Sequence, residues 1–381
     1  MAVPLAWQQL VREKLRLLAA LAGISFSAML MLMQLGFRDA LFDSAILVHE
    51  RLRGDLIMMS PLYQTLGSTK SFTQRRLYQT LAVEGVESVT PLYFAVTTWK
   101  NPDTKKDSLA FIFGMEPSTA PFDPPGLAAN LDKVSYPEVV LLDVKSRPEV
   151  GPVAQWAKEG REIVTEVNGH KVRTRGFFDL GTSFGINATV VTDITNFVKI
   201  TNRQRGLIDL GMIKIKPGTN PNDVRDRIQA TLPADAKVMT MIEFVAREKT
   251  YWAENSPIGF IFNLGTLMGL IVGAVIVYQI LYSDVSDHLA EYATLKAMGY
   301  TDTSLFSIVA QEAVALSIMG YIPGFIIAFF IYNATNSATG LPVTMTSQRA
   351  LIVFALTVGM CLGAGALAMR KLRTADPAEV F

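Results

Sequence analysis

Cysteine and histidine are scarce in this chain of 381 residues, which contains one cysteine and three histidines. Cys361 has no partner for an internal disulfide, so any large domain outside the cytoplasm must be stable through its own hydrophobic core. His49, His170 and His288 are scattered along the sequence and form no HExxH or other metal-ligand spacing. The sequence therefore predicts neither a disulfide framework nor a metal site.

Motifs for nucleotide binding and nucleophilic catalysis are also missing. The sequence has no GxxxxGKS/T phosphate loop, and Gly181-Thr182-Ser183 lacks the glycine spacing of a nucleophile elbow. Its carboxylates form no recognisable acid–base pair. We therefore expect the chain to bind no cofactor itself and not to be an enzyme. A membrane-anchored enzyme is an alternative for which the sequence offers no catalytic constellation.

Charge is missing from the central part of four long apolar stretches, and only 18% of the whole chain is charged. Because about 20 apolar residues cross a bilayer as a helix, each stretch predicts one transmembrane helix. The predicted helices cover residues 17–41, 256–283, 305–333 and 349–369. A cleaved signal peptide is an alternative for the first stretch, but the stretch exceeds the about 7–15 apolar residues of a signal peptide. The net charge of +1 gives no indication of nucleic-acid binding.

Basic residues lie near both ends of the chain. Residues 1–16 combine an apolar helical stripe with basic side chains, which predicts an amphipathic helix on the cytoplasmic membrane surface. The tail 370–381 begins with two basic residues, whereas the short loop 334–348, which is predicted to be periplasmic, contains none. The positive-inside rule then places both termini and residues 284–304 in the cytoplasm of a plasma-membrane protein. Residues 42–255 are consequently periplasmic.

Residues 42–255 differ from the apolar stretches because short alternating runs of polar and apolar residues predict strands with helices between them. Asn168-Gly169 separates two such runs and predicts a two-residue hairpin. The segments 117–125 and 148–162 are candidate boundaries between two lobes. The predicted fold class is therefore an α-helical membrane protein with four transmembrane helices and a large extracytoplasmic α+β domain between the first two.

Residues 284–304 form a charged, helix-forming segment between two transmembrane helices. Its charged side chains would each cost about 2.5–3.5 kcal/mol at the bilayer centre, so the segment must lie in water. On one continuous helix, a single face would carry Asp284, Asp287, Glu291, Leu295 and Met298. Gly299 predicts a helix end, after which Thr301 or Asp302 can cap the next helix. A solvated loop is the alternative interpretation.

Small residues recur at intervals of four in the last three transmembrane stretches. Such spacing allows helix backbones to approach closely in lipid, either within one chain or in a homodimer. The predicted helix-packing residues are Gly265, Gly269, Gly273, Gly320, Gly324, Gly359 and Gly363. Glu312 lies at the edge of the third stretch, where we expect an interfacial structural role rather than ion transport.

The order of these segments resembles the MacB-type and FtsX-type permeases of ABC transporters, which belong to the type VII superfamily. The resemblance is carried by AWQQLVREKLRLLAALAGI (6–24), EYATLKAMGYT (291–301), EAVALSIMGYIPG (312–324) and ADPAEVF (375–381). In that family, residues 291–301 correspond to a coupling helix on which an ATPase docks. The ATPase-docking residues that the resemblance implies are Glu291, Tyr292, Leu295, Lys296, Met298, Gly299, Arg370 and Lys371.

A more specific resemblance connects the chain with the DevC-type permeases of cyanobacteria. It is carried by MQLGFRDALFDSA (33–45), KSFTQRRLYQ (70–79), EGVESVTPLY (84–93), VYQILYSDVSDHLAEYATLKAMGYTD (277–302) and MRKLRTADPAEVF (369–381). This resemblance implies a homodimer that works with a separate DevA-type ATPase, a DevB-type membrane fusion protein and a TolC-like outer-membrane channel. ATP and Mg²⁺ would bind to the ATPase, and the tripartite exporter would carry a heterocyst glycolipid.

Two functions follow from these resemblances as expectations. In the first, the chain transmits ATPase motion across the membrane by mechanotransmission and drives export of a glycolipid-like cargo. In the alternative, an FtsX-like regulatory module relays the same motion to a cell-wall hydrolase and transports nothing.

Overall fold

The computed structural model describes residues 14–68, 70–181, 183 and 185–369. Most of the predicted amphipathic helix 1–16 and the tail 370–381 therefore lie outside the described residues. The chain divides into a helical unit (14–40, 257–338 and 343–369) and an α+β unit (41–256 and 339–342). The first described element is helix α1 (Lys14–Ile46), which belongs to the helical unit as far as Ala40.

The α+β unit is built around a nine-stranded mixed sheet. Its strand order is β11-β1-β10-β3-β4-β8-β5-β7-β6, and β2 pairs separately with β9. The strands are β1 (Leu56–Met59), β2 (Phe72–Thr73), β3 (Val86–Lys100), β4 (Asp107–Gly114), β5 (Val139–Asp143), β6 (Ile163–Val167), β7 (His170–Phe178), β8 (Ala188–Thr192), β9 (Leu207–Ile208), β10 (Leu210–Ile215) and β11 (Lys237–Thr240).

Strand β3 connects the two halves of this sheet. Residues of its first half, up to Leu92, pair with β10, and those from Tyr93 to Lys100 pair with β4. Strand β3 therefore belongs to both halves of one sheet. The segments 117–125 and 148–162 connect strands of this one sheet.

The predicted hairpin is confirmed. Val167 is paired with His170, so Asn168 and Gly169 form a two-residue turn between β6 and β7. Both turn residues have positive φ, 52° and 73°, which Asn and Gly tolerate better than other residues.

Five helices accompany the sheet: α2 (Gln74–Gln79), α3 (Val153–Lys158), α4 (Ile194–Thr201), α5 (Pro221–Thr231) and α6 (Met241–Thr250). Local caps fix where they start. Asp193 accepts hydrogen bonds from the first-turn N–H groups of α4, and Thr240 and Glu243 form a capping box at α6. A π-helical turn, Tyr251–Asn255, continues α6.

Apolar side chains cover both faces of the sheet. One face buries Trp99, Trp156 and Phe197, and the other buries Phe94 and Phe113 with their aromatic neighbours. A sheet buried on both faces satisfies its backbone hydrogen bonds within the ladder and contributes hydrophobic stabilisation from each side. This two-layered core lets the unit be stable without disulfides.

The helical unit contains four long helices. Besides α1 they are α7 (Pro257–Asp287), α9 (Asp302–Thr339) and α10 (Ser347–Ala368), and the short helix α8 (Leu289–Ala297) follows α7. All four long helices are long and apolar enough to cross a membrane. Each extends beyond its predicted stretch at one end at least, because polar flanking residues can continue a helix into water. Pro323 lies inside α9.

Candidate functional site

Residues 284–304 do not form one helix, which corrects the predicted continuous face. Helix α7 ends at Asp287, and His288, with φ −100° and ψ 16°, separates it from the nine-residue helix α8. Asp284 is buried, whereas Asp287 and Glu291 are exposed, so the three carboxylates do not share one environment.

Gly299 ends α8 as the sequence predicts. Its φ of 93° is a conformation that glycine adopts at little cost. The N–H of Gly299 donates to the carbonyl of Lys296, and that of Tyr300 donates to Leu295, which satisfies the last carbonyls of the helix. The Thr301 hydroxyl then accepts from the N–H of Ser304 at 3.3 Å and caps α9.

One side of α8 is anchored in an apolar cluster. Tyr292 is 1% exposed and lies in a cluster with Val285, Leu305, Val309 and Met369. Burial, and then the negative charge of Glu312, raises the pKa of the Tyr292 phenol, so the phenol stays neutral. Tyr292 therefore anchors α8 to the neighbouring helices. Its ring is not exposed to a partner, although the docking prediction requires an exposed ring.

The opposite side of this segment is exposed and carries apolar side chains. Met298 is 64% exposed and Tyr300 is 51% exposed, and Glu291 and Thr294 are exposed beside them. We define these four residues as the α8 surface. Exposed Met and Tyr side chains are enriched in the centres of protein interfaces. Tyr300 was not among the predicted docking residues, although Tyr300 directly follows the helix-ending Gly299, which was a signal that it lies on the turn.

The predicted docking residues are therefore not all exposed. Glu291, Met298 and Gly299 are exposed, and Leu295 is half-buried against the apolar cluster. Lys296 is paired with Asp302, with 3.2 Å between Nζ and Oδ1. Tyr292 is buried, and Arg370 and Lys371 lie outside the described residues.

Charged groups from three long helices meet beside α8. The Arg16 guanidinium of α1 donates to Asp287 at 2.7 Å. Glu312 of α9 is 2% exposed and lies near Asp284 and Arg16, whose charges act on it in opposite directions. The Arg16–Asp287 ion pair thus connects α1 with α7 at the end of the helical unit that carries α8, and Glu312 of α9 lies near it.

The seven predicted packing glycines divide into two groups. A methyl group added at any of five of them would lie 2.3–3.2 Å from an atom of α1 at its nearest approach; these are Gly265, Gly269, Gly273, Gly320 and Gly324. No atom of the described residues lies within 4 Å of such a group at Gly359 or Gly363 of α10. The close approach of α7 and α9 therefore takes place on α1.

Two serines of α1 follow the same contacts. Ser25 donates to the carbonyl of Gly320 at 2.8 Å, and Ser27 donates to the carbonyl of Gly269 at 2.6 Å. Small residues and hydroxyl-to-backbone hydrogen bonds are the usual means by which helices associate in lipid. Helix α1 is thereby fixed against both neighbours and can move with them.

A second polar network lies at the other end of the helical unit. Arg349, at the start of α10, donates to Asp39 of α1 at 2.8 Å and 3.2 Å, and to the carbonyl of Thr344 at 2.6 Å. Arg38 donates to Asn263 of α7 at 3.0 Å. Both ends of the helix bundle are therefore connected by polar side chains, so the helices between them are restrained as a bundle.

The comparisons with known proteins concern both units. A model of the MacB-like periplasmic core domain matches residues 17–231, which is more than half of the chain. A model of the FtsX-like permease C-terminal domain matches residues 263–377. No curated protein matches the chain.

Solved structures also resemble the chain. The periplasmic region of MacB from Actinobacillus actinomycetemcomitans is 10% identical, with a TM-score of 0.35, over 51% of this chain and 92% of that one. The extracellular domain of the noncanonic ABC-type transporter YknZ from Gram-positive bacteria is 12% identical, with a TM-score of 0.34, over 49% and 99%. A domain of a putative permease from Porphyromonas gingivalis is 13% identical, with a TM-score of 0.31, over 50% and 89%.

These identities and TM-scores are too low to assign a family, so the assignment rests on the two family models. They match in the order that the fold requires, with the periplasmic core model over the first long helix and most of the α+β unit, and the permease model over the last three long helices. The chain belongs to the MacB/FtsX-like permeases of type VII ABC transporters, membrane proteins with a large domain outside the cytoplasm.

Proposed function

We propose that this chain is the permease subunit of an ATP-driven tripartite exporter and that the α8 surface is where a separate ATPase docks. The observation that carries the proposal is the two-sidedness of α8 and the turn that follows it, with Tyr292 buried and Met298 and Tyr300 exposed. A partner that pushes on the exposed side acts on a helix that cannot yield, because its other side is packed on α7 and α9.

The chemistry of the cycle belongs to the partner. ATP and Mg²⁺ bind to the ATPase, and this chain hydrolyses nothing. Two copies of the chain form a homodimer in the plasma (inner) membrane, with N- and C-termini in the cytoplasm and the α+β unit in the periplasm. The basic residues of the tail, Arg370 and Lys371, support this orientation.

The α+β unit delivers the motion to the cargo. A membrane fusion protein of the DevB type and a TolC-like channel would complete the route, and a glycolipid-like molecule is the cargo. The DevC-like stretches of the sequence support this assignment, and the MacB-like match over 17–231 supports export as the class of function. Regulation of a cell-wall hydrolase, without transport, is the competing function. A membrane fusion protein recovered with the chain favours export, and a peptidoglycan hydrolase favours regulation.

Co-purification of the ATPase tests the docking assignment. Met298→Glu places a charge in the centre of the α8 surface, and we expect the ATPase recovered with the permease to fall at least about tenfold, which corresponds to about 1.4 kcal/mol. Ser337→Glu is the matched control, since Ser337 is exposed near the opposite end of α9. Equal recovery with Met298→Glu and the parent chain would refute the assignment.

A further inference from the structure

A buried polar cluster in the α+β unit surrounds the carboxylate of Glu248. One oxygen, Oε2, accepts from the Tyr63 hydroxyl at 3.0 Å and lies 3.3 Å from Nε2 of His49. The other, Oε1, accepts from the Trp252 indole N–H at 3.1 Å and from the backbone N–H of Leu66 at 3.4 Å. We call these residues the Glu248 cluster.

The cluster is shielded from solvent. His49, Tyr63 and Glu248 are each 1–2% exposed, and the Phe244 ring lies against His49 and Tyr63 at centroid distances of 4.6 Å and 5.4 Å. Burial, and then the negative charge of Glu248, raises the pKa of Tyr63 well above its usual value, so its hydroxyl remains a donor. A buried carboxylate is tolerated when donors surround it, and Glu248 has donors on both oxygens.

The Glu248 cluster joins residues that lie close in sequence to the first two long helices. His49 follows the end of α1 at Ile46 by three residues, and Trp252 precedes the start of α7 at Pro257 by five. Glu248 itself lies in the last turn of α6. The carboxylate therefore joins the segment that leaves the first long helix to the segment that leads into the second.

A further contact strengthens the same connection. Arg247 donates to the backbone carbonyl of Tyr63 at 2.7 Å, so two consecutive residues of α6 hold the 63–66 loop. The π-helical turn Tyr251–Asn255 comes directly after these residues. Single π-helical turns are frequent at functional positions in helices.

We propose that Glu248 is a positioning residue that clamps the two ends of segment 41–256 together, so that both ends move as one body. The consequence for transport rests on the proposed function. Motion of α1 and α7 reaches the α+β unit through these two ends. If they separate, ATP hydrolysis continues while the α+β unit no longer follows.

Distance measurements between two spin labels test the clamp. Glu50 and Glu254 are exposed and lie beside the cluster on the two ends, so both are replaced by cysteine in a Cys361→Ala background. The full-length chain is measured in nanodiscs with an excess of unlabelled copies, so that labels of two chains do not interfere. We expect one narrow distance distribution for the parent, and a distribution at least twice as broad for Glu248→Gln.

Matched variants separate the clamp from general stability. Asp143→Asn removes another buried carboxylate of the same unit, one that accepts from the backbone N–H groups of Leu180 and Gly181, and should leave the distribution narrow. Tyr63→Phe keeps the ring and removes one donor, so it should broaden the distribution partly even if Glu248→Gln does not fold. A narrow distribution in both Glu248→Gln and Tyr63→Phe overturns the clamp.

A transport measurement tests the consequence. With the native ATPase, Glu248→Gln should keep the ATPase rate within about twofold of the parent and lower export at least tenfold. Normal export in a variant whose distance distribution is broad would overturn the coupling role. If the parent chain itself exports nothing, the proposed function fails, and the distance measurement still decides whether the clamp exists.

Discussion

The α+β unit and the helical unit bury polar groups in different ways. In the α+β unit, buried carboxylates such as Asp143, Asp209 and Glu248 each accept several hydrogen bonds within an apolar core. In the helical unit, glycines bring backbones together, and serine hydroxyls donate to the carbonyls of neighbouring helices. Water drives the first kind of core through hydrophobic burial, whereas lipid offers no such drive and leaves close packing to hold the helices.

We expect the largest loss of stability when an aromatic residue is removed from the α+β core. Phe113 is fully buried and stacks on Phe122 at 4.8 Å. Phe113→Ala should lower the free energy of unfolding of this unit by about 3–5 kcal/mol, because it removes a large apolar side chain and leaves a cavity. Denaturant titration followed by tryptophan fluorescence reports on the unit, since Trp99, Trp156 and Trp252 all belong to it.

The control for this prediction lies on the helical unit. Phe330 is 66% exposed, and Phe330→Ala should change stability by no more than about 0.5 kcal/mol. A similar loss for both variants would remove the distinction between the two units.

The next effect tests close packing in the helical unit. A methyl group at Gly324 would lie 2.6 Å from the backbone oxygen of Ser25, which cannot move aside as a side chain does. Gly324→Val should therefore destabilise the helical unit by about 1–3 kcal/mol. The folded fraction that survives heating in detergent, measured by size exclusion, reports this loss. Gly359→Val is the matched control because, within the part of the chain that the structure describes, no atom lies within 4 Å of a methyl group added there; equal losses would contradict the packing account.

A smaller effect concerns the pH dependence of the α+β unit. Asp209 is fully buried, and burial raises its carboxyl pKa above the usual 3.8, although Phe94 N–H and Arg203 donate to it. The folded state then binds a proton more tightly than the unfolded state, so this group's contribution falls as pH rises through the window above 3.8. In urea titrations across this window, the parent should lose stability relative to Asp209→Asn. A constant difference between the two proteins would contradict the shift.

We expect the smallest change in stability for Lys296, a predicted docking residue. Lys296 is paired with Asp302 on the surface, and exposed pairs contribute about 0.2–1 kcal/mol. Lys296→Ala should therefore leave the thermal stability in detergent almost unchanged. A large loss of stability would show that the pair supports the fold, and Lys296 could then not be used to probe ATPase binding.

The sequence predicted features that depend on local chemistry. The four apolar helices follow from missing charge, and the hairpin at Asn168-Gly169 follows from two residues that tolerate positive φ. The strand order could not be predicted, because β11 pairs with β1 and β4 with β8 across long separations in sequence. No local pattern encodes such pairings.

The candidate site was predicted in part for the same reason. Gly299 and Thr301 act locally, and their roles at the end of α8 and the start of α9 were predictable. The break at His288 was not, since nothing in the residue pattern requires it. The burial of Tyr292 depends on tertiary contacts with Val285, Leu305 and Val309, which the local sequence does not show.

Site-specific photocrosslinking at the α8 surface tests the central claim most directly. A photoreactive amino acid at Met298, in native membranes, should crosslink this chain to its ATPase, whereas the same amino acid at Ser337 should not. The account is contradicted if position 298 gives no ATPase adduct, or if position 337 gives as much.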